Sequence, residues 1–226
     1  MKDYRNSNIT VGIDASNIRL GGGITHIVEL INSYTPLKDG VTKIIIWGPK
    51  ECLKNIEAKD FVKKISPSIL SKSLIKRLFW QCFILSSELK KENVSILFVP
   101  GGSYSVKFKP VVVLCQNMLP FEWKELIRFK FSILTLKFLV LRFTQGKSFK
   151  NANGMIFLNE YAKNRIQKEI GLPKGLVKII PHGINKKFTN KKLFVKDIDT
   201  YSEKSPFRIL YVSNILPYKH QWNVIK

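Results

Sequence analysis

Apolar residues along this chain gather into short runs separated by segments of helix length. The runs are ITVGID (9–14), KIIIWG (43–48), VSILFVP (94–100), PVVVLC (110–115), GMIFLN (154–159), VKIIP (177–181) and FRILYVS (207–213). Several are continuous in Val and Ile rather than alternating, which is how strands buried on both faces of a parallel sheet read. The segments at 24–34, 72–91, 122–149 and 160–170 have helix length with polar interruptions. Strand and helix in alternation predict an α/β chain, a Rossmann-like doubly wound and mostly parallel sheet with helices on both faces. The runs at 9–14, 94–99 and 110–115 are expected at its centre.

Ligands of such sheets sit beyond the carboxyl ends of the strands. That singles out Asp14 with the glycine loop behind it, Pro100-Gly101-Gly102, Gln116-Asn117, Asn159-Glu160 and His182-Gly183. The loop GGGITHIVEL (21–30) sets three glycines just before a helical pattern. Glycine lets backbone amides approach a ligand or take positive φ, and a helix N-terminus favours negative charge. The spacing is neither a P-loop nor a good GxGxxG, so on pattern alone a structural turn and an anion cradle stand level. His26 reads first as a partly buried helix histidine and second as a donor or base at the cleft. Asp14 reads first as an N-cap or loop organiser and second as a catalytic acid, and His182 as a hinge or loop contact. Three isolated histidines without spaced carboxylates give no metal site, and no cofactor is expected.

The stretch NKKFTNKKLFVKDIDTYSEKS (185–205) is charged, aperiodic and followed by Pro206, the marks of a linker. After it come one strand-like run, a turn at Pro217 and KHQWNVIK, which reads as the first turns of a helix. The expected organisation is a domain over 1–185, a linker over 186–206, and over 207–226 the opening of a second, incomplete domain. Phe207, Ile209, Leu210, Tyr211 and Trp222 are then expected to be exposed and to favour self-association.

Charge changes the picture most. The 226 residues carry a net charge of +22, which raises nucleic acid, an anionic membrane surface or a phosphate-bearing small molecule as partners. LIRFKFSILTLKFLVLRF (126–143) spreads its cations over two sides of a helix. It reads either as a core-layer helix with snorkelling basic side chains or as an interfacial helix touching anionic headgroups. Residues 126–159 hold six Lys/Arg and no acid. The nucleic-acid reading rests on charge alone, with no accompanying motif. Cys52, Cys82 and Cys115 lie far apart in apolar runs and read as reduced core residues. The polar start MKDYRNSN does not read as a signal peptide, so none is expected, and no run is long enough for a membrane span. A cytoplasmic protein, free or at the cytoplasmic face of the membrane, is the expected setting.

The order of these motifs resembles the GT-B glycosyltransferases, in particular the retaining, sugar-nucleotide-dependent family 4. Four pieces carry the resemblance: GIDASNIRLGGGITHIVELI, VVVLCQNMLPFEW, MIFLNEYAKNRIQKEIGLPKGLVKIIPHGINKKF and ILYVSNILPYKHQWNVI. It implies the acceptor-side domain followed by the first residues of the donor-binding domain. Gly22 and Gly23 then match the loop facing the donor phosphates, and Lys219 the cation that contacts the diphosphate, with His220 beside it. Asp14, His26, Gln116 and Asn117 would lie on the acceptor side. The implied partners are a nucleotide sugar and a glycan or lipid-linked acceptor. The chain departs from the family in having Asn214 where an Arg is usual and no His near Cys115–Gln116. The family's paired glutamates are not among these residues, so the fragment is expected to be inactive alone. The competing class is a basic module that binds a membrane or polyanion without catalysis.

Overall fold

The computed structural model describes residues 8–36, 40–171, 173–185 and 197–225. Seven strands form one sheet: β1 (Ile9–Asp14), β2 (Val41–Trp47), β3 (Val62–Ile65), β4 (Ile96–Val99), β5 (Val111–Cys115), β6 (Gly154–Phe157) and β7 (Leu176–Ile179). Their order is β3-β2-β1-β4-β5-β6-β7, and every neighbouring pair is parallel. The chain is therefore a Rossmann-like doubly wound α/β fold, with β1, β4 and β5 at the centre of the sheet.

Right-handed crossovers set the layers. Strands β1 to β3 proceed toward one edge, through α1 (Gly22–Ser33) and α2 (Lys50–Leu53). The chain then returns past β2 and β1 to β4, and proceeds to the other edge. This half uses α3 (Leu74–Phe79), α4 (Leu85–Lys91), α5 (Trp123–Ile127), α6 (Ile133–Asn151) and α7 (Glu160–Ile170). The reversal of direction puts the two sets on opposite faces, and the core divides accordingly. One cluster joins Ile27 and Ile31 of α1 and Leu53 of α2 to Ile13, Ile44 and Ile46 of the sheet. The other joins Trp80, Leu85, Leu89, Phe149 and Ile166 to Ile45, Trp47, Leu97, Val113 and Phe157. Ile45 and Ile46, adjacent in β2, thus fall in different clusters, which is why this run shows no alternation.

Within the sheet and its helices, three elements differ from the sequence expectation. β3, with Lys63 and Lys64 at its centre, has no apolar run to announce it. It is an edge strand, and Lys64 Nζ returns to the Ile56 carbonyl at 2.9 Å. The helical segment 72–91 contains a π turn over Trp80–Ile84 between α3 and α4. The segment 122–149 is broken: Lys130 takes φ 51°, and Ser132 restarts the helix by accepting from the Thr135 amide at 3.3 Å, as an N-cap does.

The strand expected at 207–213 does not form. The segment pairs with no strand of the sheet, and an isolated strand has no ladder to satisfy its amides. The short helix α8 (Gln221–Ile225) follows. Phe207, Ile209, Leu210, Tyr211 and Trp222 are all exposed. Residues 186–196 of the expected linker lie outside the described residues.

Candidate functional site

The direction of winding reverses between β1 and β4, so a crevice opens at their carboxyl ends. From β1 comes the segment Ala15–Gly23, from β4 Gly101 and Gly102. A Cβ on Gly101 would lie 3.7 Å from Asn17 Cβ, and one on Gly23 would lie 3.3 Å from Ile18 Cγ2 and 4.0 Å from Gln116 Oε1. The glycine loop, the β4 turn and the end of β5 therefore meet in one place. Among the glycines, Gly21 carries the conformational demand: φ is 66° and ψ −147°, a region nearly closed to residues with a side chain. Gly22 opens α1 with open space around it. Its amide and that of Gly23 belong to the first turn, which has no intrahelical partner for its N–H groups.

The segment after β7 completes the crevice. Asn185 Nδ2 donates to Glu29 Oε2 of α1 at 3.0 Å, and the His182 ring stands edge-on to His26 at 4.7 Å. From β7 to β1 is four strand spacings, roughly 19 Å, close to what the residues from Ile180 to Asn185 cover when extended at about 3.4 Å each. The segment thus crosses the carboxyl ends of the strands to reach α1.

Two side-chain nitrogens here are buried without a hydrogen-bond partner, His26 Nε2 and Gln116 Nε2. A buried polar atom left unpaired costs about 1–3 kcal/mol, so each is an open valence for a ligand oxygen. Burial, and then the neighbouring His182, hold the His26 pKa below the ordinary histidine value. His26 is accordingly neutral at physiological pH, one nitrogen a donor and the other an acceptor.

Asp14 is not open to a ligand. It is 3% exposed; one carboxylate oxygen accepts from the Ser16 amide at 3.0 Å and the other from Gln81 Nε2 at 2.6 Å. Burial pushes its pKa up, against the opposing pull of those Ser16 and Gln81 bonds. It organises the loop, the first of the two roles read from the sequence. Asn117 does the same for the end of β5, its Oδ1 accepting from the Leu119 amide at 3.1 Å. Lys219 makes its contacts elsewhere. Its Nζ lies over the Tyr218 ring at 5.4 Å, and its neighbour His220 meets Glu125 of α5 at 3.1 Å.

Sequence reasoning missed Gln81 and the arginine pair Arg19 and Arg77. Gln81 sits in the π turn, 1% exposed, and π turns gather at functional positions. A lone glutamine inside the apolar run LFWQCF (78–83) was its one visible signal. Arg19 and Arg77 both donate to the Lys72 carbonyl, at 3.3 and 3.0 Å. Burial and the Arg19 charge lower the Arg77 pKa. Nothing in the spacing of residues 19 and 77 marks them as neighbours.

No protein-family model matches this chain, and no curated protein matches it. Among the described residues no group of His, Cys, Asp and Glu is placed to hold a metal ion. The candidate site is therefore defined by its geometry: Gly21–Gly23, Gln116, His26 and His182 around the switch-point crevice. Its chemistry is that of hydrogen bonding to a polar or anionic ligand, with amide, imidazole and carboxamide groups.

Proposed function

We propose that the chain is the acceptor-side domain of a GT-B glycosyltransferase that moves a sugar from a nucleotide donor to a glycan or lipid-linked acceptor. The observation that supports this reading is the convergence at one switch point of a glycine loop opening α1 with two unpartnered buried nitrogens, His26 Nε2 and Gln116 Nε2. A sugar hydroxyl both donates and accepts, and would satisfy either nitrogen. Departure of a nucleoside diphosphate builds negative charge, which amides at a helix N-terminus and a cation such as Lys219 stabilise. In this reading Gly22, Gly23 and Lys219 serve the diphosphate, and His26 and Gln116 the acceptor.

The 226 residues alone are expected to show no sugar transfer. One exposed ammonium facing a diphosphate contributes about 1 kcal/mol, whereas even millimolar binding requires about 4 kcal/mol. The test is to incubate this chain, and the same chain joined to a complete donor-binding domain, with nucleotide sugars and lipid-linked acceptors. Transfer is expected only from the longer protein, and Lys219→Ala should lower its rate. Turnover by the 226 residues alone would show that the cleft between domains is not the active site. An inactive longer protein whose Gly21–Gly23 and Gln116 amide signals ignore every acceptor would remove the reading altogether.

A second reading, a basic module that binds a polyanion or membrane without catalysis, is favoured by the net charge of +22. Ligand-induced shifts confined to the crevice support the first reading. Salt-sensitive binding with no response there supports the second.

A further inference from the structure

The first three turns of α6 stand clear of the sheet. Its buried residues are Gln145, Gly146, Ser148 and Phe149, all in the last two turns. Ahead of them Ile133, Leu136, Val140 and Phe143 are exposed, from 55% at Val140 to 87% at Ile133, and Phe131 just before the helix is fully exposed. At 100° per residue those four helix positions fall within roughly 80°, an apolar stripe that the exposed Leu139 borders and from which the exposed Leu134 stands apart. The lysines follow the same side: Lys147 and Lys150 continue the stripe toward the C-terminus and Lys137 borders it. None of the three has a carboxylate partner among the described residues. On the same face of the sheet α3 and the π turn leave Ile75, Phe79 and Phe83 exposed. Lys72, Lys76 and Arg77 lie among them, and residues 72–84 contain no acid. The segment after β4 lies between α6 and α4, which continues the π turn, with Ser86 of α4 donating to the Lys107 carbonyl at 3.1 Å and Ser103 meeting Thr144 of α6 at 3.4 Å.

We infer that this face docks on an anionic lipid surface, the apolar stripe of α6 entering the acyl boundary and the lysines meeting the headgroup phosphates. The charge pattern selects this occupant. A second copy of the chain would bring the same lysines against themselves, with the one nearby acid, Glu169, already held by Arg142 and Arg165, and like charges repel. A polyanion such as DNA answers the lysines but offers nothing to Ile133, Leu136, Val140 and Phe143. An anionic bilayer answers both. The attachment is peripheral, since no described helix is long and apolar enough to cross a membrane. Both α3 and α6 begin at the carboxyl edge of the sheet, so docking brings the switch-point crevice toward the headgroups. The inference rests on the surface alone and stands or falls apart from the sugar-transfer reading.

The experiment is co-sedimentation of the 226-residue chain with phosphatidylcholine vesicles, alone and with phosphatidylglycerol added, across a salt series. The wild type is expected to bind the mixed vesicles and to leave the neutral ones largely unbound. The triple variant Phe131→Ser, Ile133→Ser, Phe143→Ser should weaken partitioning by more than about tenfold. The triple variant Lys137→Glu, Lys147→Glu, Lys150→Glu should abolish the preference for phosphatidylglycerol. All six positions are exposed, so circular dichroism should show unchanged folding; if either triple fails to fold, the single changes Phe143→Ser and Lys147→Glu replace it. Three results would overturn the inference: no binding to mixed vesicles, serine variants that bind as the wild type does, or a wild-type dimer that the serine changes dissociate while vesicle binding persists.

Discussion

Replacing Gln81 by Leu should unsettle the end of β1 out of proportion to the change in volume. Gln81 is 1% exposed, and its Nε2 donates to Asp14 Oδ2 at 2.6 Å and to Ser16 Oγ at 3.0 Å. A hydrogen bond to a charged group is worth about 1.5–3 kcal/mol and a neutral one about 0.5–1.5. Leucine fills similar space, so the expected loss is about 2–4 kcal/mol, mostly from the donor lost to a buried carboxylate. The loss should depend on pH. Burial raises the Asp14 pKa in the folded state, with Ser16 and Gln81 opposing it. A carboxyl whose pKa is raised by folding contributes stability below its unfolded pKa, and this is lost as pH rises through the folded value. Removing Gln81 takes away one opposing bond and raises that pKa further. The variant should therefore be penalised most at neutral pH and least in acid, where the protonated carboxyl needs no second donor. Urea denaturation of wild type and Gln81→Leu at neutral and acidic pH measures it, with equal m values as the check that the same surface unfolds. A loss under about 1 kcal/mol, or one that does not shrink toward acid, would refute the role given to this bond.

Three further outcomes follow from the same geometry. Gly21→Ala should destabilise by about 1–3 kcal/mol because of its backbone angles, whereas Gly22→Ala, with open space around it, should be neutral or slightly stabilising; thermal denaturation of the pair separates conformational demand from ligand demand. His26, its pKa lowered by burial and by His182, binds a proton less readily folded than unfolded. Stability should thus fall as pH drops from the ordinary histidine value of about 6.5 toward the folded value, and an NMR titration should show the His26 transition moving up in His182→Ala. Burial pushes the Cys115 thiol up to about 12 and the Cys52 thiol to about 11, so in the native protein a thiol reagent should reach the partly exposed Cys82 first and the other two only on unfolding.

The central strands were legible because burial on both faces forces unbroken Val/Ile runs, and the glycine loop because glycine before a helical pattern has few other uses. The same logic hid β3, whose edge position lets Lys63 and Lys64 stand where a central strand would need apolar residues. It also misread 207–213, where an apolar run has the composition of a strand but no neighbour to pair with. Of the chosen site residues, Gln116 and His26 do lie at the crevice with open nitrogens. Asp14 is taken up by Ser16 and Gln81, and Asn117 by its own loop.

Local pattern by itself determined the class of fold, the identity of the central strands and the places where the chain leaves the sheet at a carboxyl end. These depend on periodicity and on backbone permission, which neighbouring residues express. Tertiary structure alone decided the partnerships: Gln81 with Asp14 across 67 residues, His26 with His182, Arg19 with Arg77 on one carbonyl. It also decided that the first half of α6 buries no residue and leaves an apolar stripe exposed. Each of these is set by strand order and by where the winding reverses, and no residue carries a mark of which distant residue the sheet will bring beside it.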